Sequence, residues 1–250
     1  MALDEWMLHN GPAEPVFWLW RNSPSVIIGY NQNAAAEVNL EYLREHGIKL
    51  ARRVTGGGAV YHDLQNLNYS FAGPLGSVSG ECGPGGGCSE DRRLGNLDSG
   101  ASPDSQSIAP PIRFVEALRS LGLAAELSGR NDIFIEGRKI SGYARSLWKN
   151  REIIHGTLMY DVDIDTLTAA LNVEGSSKLA LKGVASVRSR VTNVRDYLPQ
   201  FSSLDEVQAA LQERLSSPEF SELCLTKDQI AQIDSLAADK FGSPSWIYRL

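Results

Sequence analysis

Strand-like runs in this chain come in pairs, with helical patterns scattered among the pairs. Val16–Trp20 (VFWLW) and Ser25–Ile28 (SVII) are parted only by Arg21-Asn22-Ser23-Pro24, which has turn composition. Ile48–Val54 and Ala59–Tyr61 flank Gly56-Gly57-Gly58, and Leu67–Phe71 follows. Later strand candidates are Ala124–Leu127, Ile133–Glu136, Lys139–Ile140 and Ile153–Tyr160, with Gly137 marking a hairpin turn. Helices are expected at Leu3–Leu8, at Asn39–His46 between an Asn39 cap and Gly47, and at Pro111–Leu121 before Gly122. Further helices are expected at Asp165–Leu171, capped by Asp163 or Asp165, at Leu204–Leu215 and at Lys227–Phe241. Paired strands with scattered helices argue against a doubly wound sheet. They point to an α+β fold, a mixed or largely antiparallel sheet flanked by helices.

The pattern breaks between Gly73 and Ala109, where Gly, Ser and Asp dominate and apolar residues are few. Such a stretch buries too little surface to offset its ordering entropy, so a flexible insertion at about 74–109 is expected. Otherwise the 250 residues suit one domain with a core of its own. The net charge of −6 argues against a nucleic-acid partner. No run of eighteen apolar residues occurs, so no membrane span is expected. The start, MALDEWMLHNG, lacks the basic and apolar regions of a secretory signal, and a cytoplasmic location is expected. Cys82, Cys88 and Cys224 form neither a disulfide framework nor a tetrahedral metal set.

Four stretches concentrate groups suited to a phosphorylated ligand. The first runs from Arg52 to Asp63 (RRVTGGGAVYHD). Its glycines permit close backbone approach and a concave array of amides, and Arg53 adds a forked positive charge. By itself the run equally fits a strand connection with solvated arginines. The second is Gly129-Arg130-Asn131-Asp132-Ile133 followed by Arg138-Lys139-Ile140-Ser141-Gly142. Lys139 could meet a phosphate or a developing oxyanion, and Asn131 and Asp132 are oxygen ligands of the kind Mg²⁺ accepts. A turn and a charged hairpin tip would look the same. The third is His155-Gly156-Thr157, where His155 suits either a pocket or a core. The fourth, Lys182 to Val191, gathers Lys182, Arg188 and Arg190 among small residues, as a closing loop or a solvated one.

Together these stretches resemble the lipoate–protein ligase family in order and spacing. RRVTGGGAVYHDLQNLNYSF at 52–71 matches its glycine-rich signature, and 129–142 matches its GRNDI…GRKISG block. HGTL at 155–158, KGVASVRSRV at 182–191 and the turn Ile28-Gly29-Tyr30-Asn31-Gln32-Asn33 complete the likeness. The resemblance implies a biotin/lipoyl ligase-like catalytic domain spanning 1–250. The implied reaction uses ATP and Mg²⁺ to turn lipoate into lipoyl-AMP, then moves the lipoyl group to a lysine of a carrier. The implied acceptors are lipoyl domains of 2-oxoacid dehydrogenase acyltransferase subunits or the glycine cleavage H protein. By the same resemblance Lys139 is the central catalytic lysine, touching both acyl carbonyl and α-phosphate. Arg53 binds the carboxylate or phosphate end, and Gly57, Gly58, Ala59, Val60 and Tyr61 line the adenylate. Asn131 and Asp132 orient phosphate or Mg²⁺, His155 sits by the pocket, and Lys182 and Arg188 belong to an adenylate loop. Val54, Val60 and Trp20 are expected to wall an apolar tunnel.

The chain departs from the family pattern at three places. It opens at MALDEW without the strand that usually precedes the first helix, so either a sheet edge is uncovered or the start lies upstream. It stops at Leu250, shortly after Ser245-Trp246, where two-domain members continue into a small accessory domain; adenylation is then expected to need a separate accessory subunit if that domain is a second polypeptide. The stretch at 74–109 has no counterpart in typical members. Two rival readings are an acyltransferase of the same superfamily and a non-catalytic lipoate- or nucleotide-binding protein. The first needs a cysteine nucleophile, and none falls in the matching blocks. Biotin ligases carry a different glycine- and arginine-rich loop.

Overall fold

The computed structural model describes residues 1–77, 110–128, 131–171, 190–218, 220 and 222–249. Among them, two sheets form. The larger has strand order β1-β5-β9-β8-β7-β6, every pair antiparallel: β1 Val16–Trp20, β5 Asn66–Pro74, β6 Glu126–Ser128, β7 Asp132–Ile135, β8 Arg138–Trp148 and β9 Arg151–Met159. The smaller is β3-β2-β4, from Ser25–Ile28 (β2), Lys49–Arg52 (β3) and Val60–His62 (β4). β2 pairs with β3 in parallel and with β4 antiparallel, so the fold is α+β with one antiparallel and one mixed sheet.

Alternation along β5 sorts the large sheet into two faces. Leu67, Tyr69 and Phe71 point one way into the main core. There they meet Phe114 and Leu118 of α4 (Pro110–Ser120) and Val207 and Leu211 of α6 (Leu204–Leu215). Asn66, Asn68 and Ser70 point the other way, yet they too are buried. A buried polar face requires partners rather than solvent, and this face builds the site described below. Part of it is covered by α1 (Ala2–Asn10), whose Trp6 and Met7 pack on Val16, Ala72 and Ile153.

The small sheet packs its Val26, Ile28 and Tyr61 against Leu43 of α3 (Leu40–Glu45) and Ala170 of α5 (Ile164–Ala170). Asn39 caps α3 by accepting from the Tyr42 amide, as its sequence position suggests, and Asp163 rather than Asp165 caps α5. With the short α2 (Ala34–Glu37), α3 carries the chain from β2 to its parallel partner β3.

Several elements differ from expectation. The strands flanking the glycines do not pair with each other; each pairs with β2, which lies between them. β8 is far longer than Lys139–Ile140, because its Gly142, Arg145 and Ser146 interrupt the apolar alternation that betrays a strand. The helix expected at Lys227–Phe241 is α7 (Lys227–Leu236) followed by a π turn over Ala237–Phe241, and α8 (Pro244–Ile247) comes after it. No helix among the described residues is long and apolar enough to cross a membrane. The flexible insertion expected at about 74–109 lies, beyond residue 77, outside the described residues, as do Cys82 and Cys88.

The C-terminal segment is fastened by one side chain. Arg52, fully buried at the end of β3, donates to the carbonyls of Gly29, Tyr30 and Gln32 on one side. On the other side it donates to those of Trp246, Ile247 and Arg249. Trp246 Nε1 returns a hydrogen bond to Arg52 O at 3.0 Å.

Candidate active site

Register across the large sheet lines up the floor of a cavity. Trp20 of β1 stands opposite Asn68 of β5, which stands opposite Thr157 of β9. One step along the same face, Trp18, Ser70, His155 and Ala144 form a second row. At the far side Asp132 of β7 stands opposite Gly142 of β8. Trp20 and Lys139 lie on strands three places apart, about 14 Å at ordinary strand spacing.

The roof is the glycine run between β3 and β4. It is held down by Tyr30 N donating to Thr55 O at 2.8 Å. From below, Arg53 donates to Thr55 Oγ1 and to the carbonyls of Gly56, Gly58 and Ile27. Gly57 has φ +94°, which a side chain would strain, and its carbonyl rests against Gly29 so closely that no Cβ fits there.

The cavity, open on one side, has a volume of about 120 Å³. Lys139, Arg53, Gly57, Gly58, Ala59, Val60, Asn131 and His155 all line it, so residues far apart in sequence meet around one space. Trp20 and Val60 line it as expected for a wall, whereas Val54 does not. Tyr61 does not line it either. Alternation on β4 turns Val60 and His62 to the cavity and Tyr61 to the core around Leu43. Asp132 lies just outside the lining, its Oδ1 2.7 Å from Lys139 Nζ. No group of three His, Cys, Asp or Glu that could hold a metal occurs among the described residues. Gly129, Arg130, Lys182 and Arg188 lie outside the described residues.

Arg53 differs most from its expected part. Burial lowers its pKa to about 10, and its donors are turned onto loop oxygens, so in this state it shapes the roof. Asn131 Nδ2 donates to Tyr143 O at 2.6 Å, fixing the start of β7 against β8.

Sequence reading missed His62, Asn68, Tyr143 and Thr157, which also line the cavity. His62 Nδ1 and Asn68 Nδ2 share Asn22 Oδ1, and His62 Nε2 has no partner among the described residues. Burial, then the charge of Arg53, push His62 down to about 3, so it is neutral at physiological pH. The alternation Asn66-Leu67-Asn68-Tyr69-Ser70-Phe71 was the available signal for the polar face.

The cavity thus has a cationic, hydrogen-bonding end at Lys139 and Asn131. Its other end is aromatic and apolar, at Trp20, Ile27 and Val60. That polarity suits an elongated ligand with an anionic head and an apolar tail.

Comparison with known proteins agrees with this geometry. The family model described as the lipoyl protein ligase A/B catalytic domain matches residues 1–81 and 106–216. Lipoate–protein ligase 1 of Staphylococcus aureus is 38% identical over 250 residues, covering 99% of this chain and 69% of the relative. A bi-partite lipoate protein ligase of Thermoplasma acidophilum, described with its E2 lipoyl domain, superposes with a TM-score of 0.76 at 31% identity, covering 99% of this chain and 89% of that one. A lipoate-protein ligase A bound with ATP gives a TM-score of 0.73 at 30% identity, covering 99% and 92%. The chain belongs to the lipoate–protein ligase family of enzymes, within the lipoyl protein ligase A/B catalytic domain.

Proposed function

We propose that this chain, as a single catalytic domain acting in the cytoplasm, activates lipoate with ATP and transfers the lipoyl group to a lysine of a lipoyl-domain protein. The observation that carries this reading is Lys139, beside Gly142 at the polar end of a cavity whose other end is apolar. In the first step a lipoate carboxylate oxygen attacks the α-phosphorus of ATP, and pyrophosphate leaves. In the second, the acceptor lysine amine attacks the acyl carbonyl. AMP leaves, and the amine's extra proton goes to solvent. Lys139 holds the charge that develops on carbonyl and phosphate oxygens in both steps, the kind of preorganised electrostatic help that dominates such reactions. Asp132 sets the ammonium's position through its 2.7 Å contact.

The loop Gly57–Val60 lies over the adenylate, Arg53 holding its shape, while Trp20, Ile27 and Val60 receive the acyl chain. Lys182 and Arg188, outside the described residues, contribute positive charge toward the nucleotide in this reading. Mg²⁺ fits as an ion held by Asp132 and phosphate oxygens, since it commonly takes only one or two carboxylates; it would neutralise phosphate charge. The acceptors are lipoyl domains of 2-oxoacid dehydrogenase acyltransferase subunits or the glycine cleavage H protein.

A second reading is favoured by the likeness to one chain of a bi-partite ligase. In it, this chain transfers lipoyl from lipoyl-AMP and relies on a separate accessory subunit for adenylation. Mass spectrometry of an acceptor lipoyl domain separates the two, with lipoate plus Mg-ATP in one reaction and preformed lipoyl-AMP in the other. Modification in both, reduced at least a hundredfold by Lys139→Ala, supports a self-sufficient ligase. Modification only from lipoyl-AMP supports the second reading. Modification in neither sinks both and leaves a lipoate- or nucleotide-binding protein.

A further inference from the structure

A line of hydrogen bonds runs beside the cavity and joins its aromatic end to the glycine roof. At the aromatic end Trp20 Nε1 donates to Ser70 Oγ at 3.0 Å, and Ser70 Oγ donates to Asp4 Oδ1 at 3.0 Å. At the loop end Arg53 Nε donates to Thr55 Oγ1 at 3.0 Å. Thr55 Oγ1 lies 2.7 Å from His155 Nε2, and His155 Nδ1 lies 2.9 Å from Asp4 Oδ2. Asp4, Ser70 and Thr55 are all at most 1% exposed, so water does not compete for these bonds.

Counting hydrogens gives every bond a direction. A carboxylate only accepts, so Ser70 and His155 Nδ1 both donate to Asp4. Thr55 Oγ1 receives the Arg53 N–H, and its own buried hydrogen has no acceptor in reach among the described residues except His155 Nε2, to which it is donated. The imidazole is therefore the Nδ1–H tautomer with Nε2 as acceptor. Two arms, Trp20–Ser70 and Arg53–Thr55–His155, converge on one carboxylate.

Asp4, His155 and Thr55 have the connectivity of an acid–base–nucleophile relay. Thr55, however, does not line the cavity and is closed off from it, whereas His155 and Arg53 do line it. The relay therefore orients groups and has no route for attack on a ligand. We propose that Asp4, carried on α1, is a positioning residue for the glycine roof and for the aromatic end of the site. On one arm its charge fixes the His155 tautomer, and through it Thr55, Arg53 and the glycine roof. On the other it fixes Ser70 and the Trp20 indole. Asparagine at this point would be equal in size and wrong in polarity. Two hydrogens already point at residue 4, and whichever way the amide turned, its N–H would confront one of them.

The test uses the full chain and four variants. Nitrogen-15 NMR of the imidazole in the wild type is expected to show His155 protonated at Nδ1 and bare at Nε2, with His155→Gln used for assignment. Asp4→Asn is expected to move that proton to Nε2, or to shift the Trp20 indole N–H signal. It is also expected to lower kcat/KM for lipoylation by about ten- to a hundredfold, as losing a charge-assisted bond does. Thr55→Val is expected to disturb the His155 signals and the rate while leaving the indole signal in place. Thr55→Ser restores both. Wild-type tautomer, indole signal and rate in a folded Asp4→Asn would overturn the proposal, as would Thr55→Ser behaving like Thr55→Val. If Asp4→Asn does not fold, the Thr55 pair decides. The kinetic arm rests on the proposed ligase activity, but the NMR arm does not. A wild type that lipoylates nothing defeats that function and leaves the relay judged by its protons.

Discussion

Gly29→Ala is the substitution whose cost can be worked most directly from the geometry. Gly29 follows β2 and lies under the glycine roof, where an added Cβ would stand 2.1 Å from the carbonyl oxygen of Gly57 and 3.1 Å from its carbon. Real Cβ contacts below 3.0 Å are essentially never seen, so one side must move by about 0.9 Å. The obstacle is backbone, and it cannot swing aside. Arg53 holds the adjoining Gly56 and Gly58 carbonyls, and the Tyr30 amide holds Thr55. Overpacking of this kind costs about 2 kcal/mol, which for a domain of this size lowers Tm by roughly 4–8 °C. The larger effect falls on activity, because a displacement of about 1 Å near the reacting atoms is worth about a hundredfold. Thermal unfolding and initial lipoylation rates at varied ATP measure the two effects separately. Gly56→Ala is the contrast, since a Cβ there meets nothing within 4 Å and should cost at least about tenfold less. A Gly29→Ala protein with wild-type Tm and kcat/KM within about threefold of normal would refute the reasoning.

Two further expectations concern stability. Arg52→Met leaves the carbonyls of Tyr30, Gln32, Trp246, Ile247 and Arg249 without their donor, and that of Gly29 with only the Gln32 amide. A loss of about 4 kcal/mol is expected, with faster proteolytic release of the C-terminal segment; unchanged denaturant midpoints would count against it. His62 is neutral in the folded chain down to about pH 3 but titrates near 6.5 when unfolded. Its contribution is therefore complete above about pH 6.5 and is lost as pH falls, by about 3 kcal/mol at pH 4. His62→Gln should flatten that limb of the stability curve, and an unaltered slope between pH 4 and 6.5 would argue that His62 accepts a proton in place.

The positions of most strands and the caps at Asn39 and Asp163 were legible in the residues themselves, since each follows from local pattern, whereas Lys139 stood out only through the resemblance of 129–142 to a family block. What stayed hidden was whatever depends on which face a residue occupies. Tyr61 and His62 adjoin in sequence, and alternation alone sends one to the core and the other to the cavity. β8 was cut short because its cavity-facing half trades apolar residues for Gly and polar ones, so the site disguised the strand that carries it. Asp4 reads as an ordinary acidic residue in a first helical turn, where acids are common for dipole reasons. Only the ladder that brings Ser70 and His155 beneath it reveals its partners.

That ladder has a consequence for how the protein comes to work at all. Trp20, the glycine roof and Asn68 come from the first part of the chain, and Asn131, Lys139 and His155 from a later part. The seam between the two is β5 against β9, paired from Asn66↔Met159 to Pro74↔Arg151, residues 93 to 77 positions apart. Chains emerge from the ribosome N-terminal end first, so the first part of the lining is made before its partner strand exists. The lining is complete only once the seam closes, so the cavity is among the last things folding delivers.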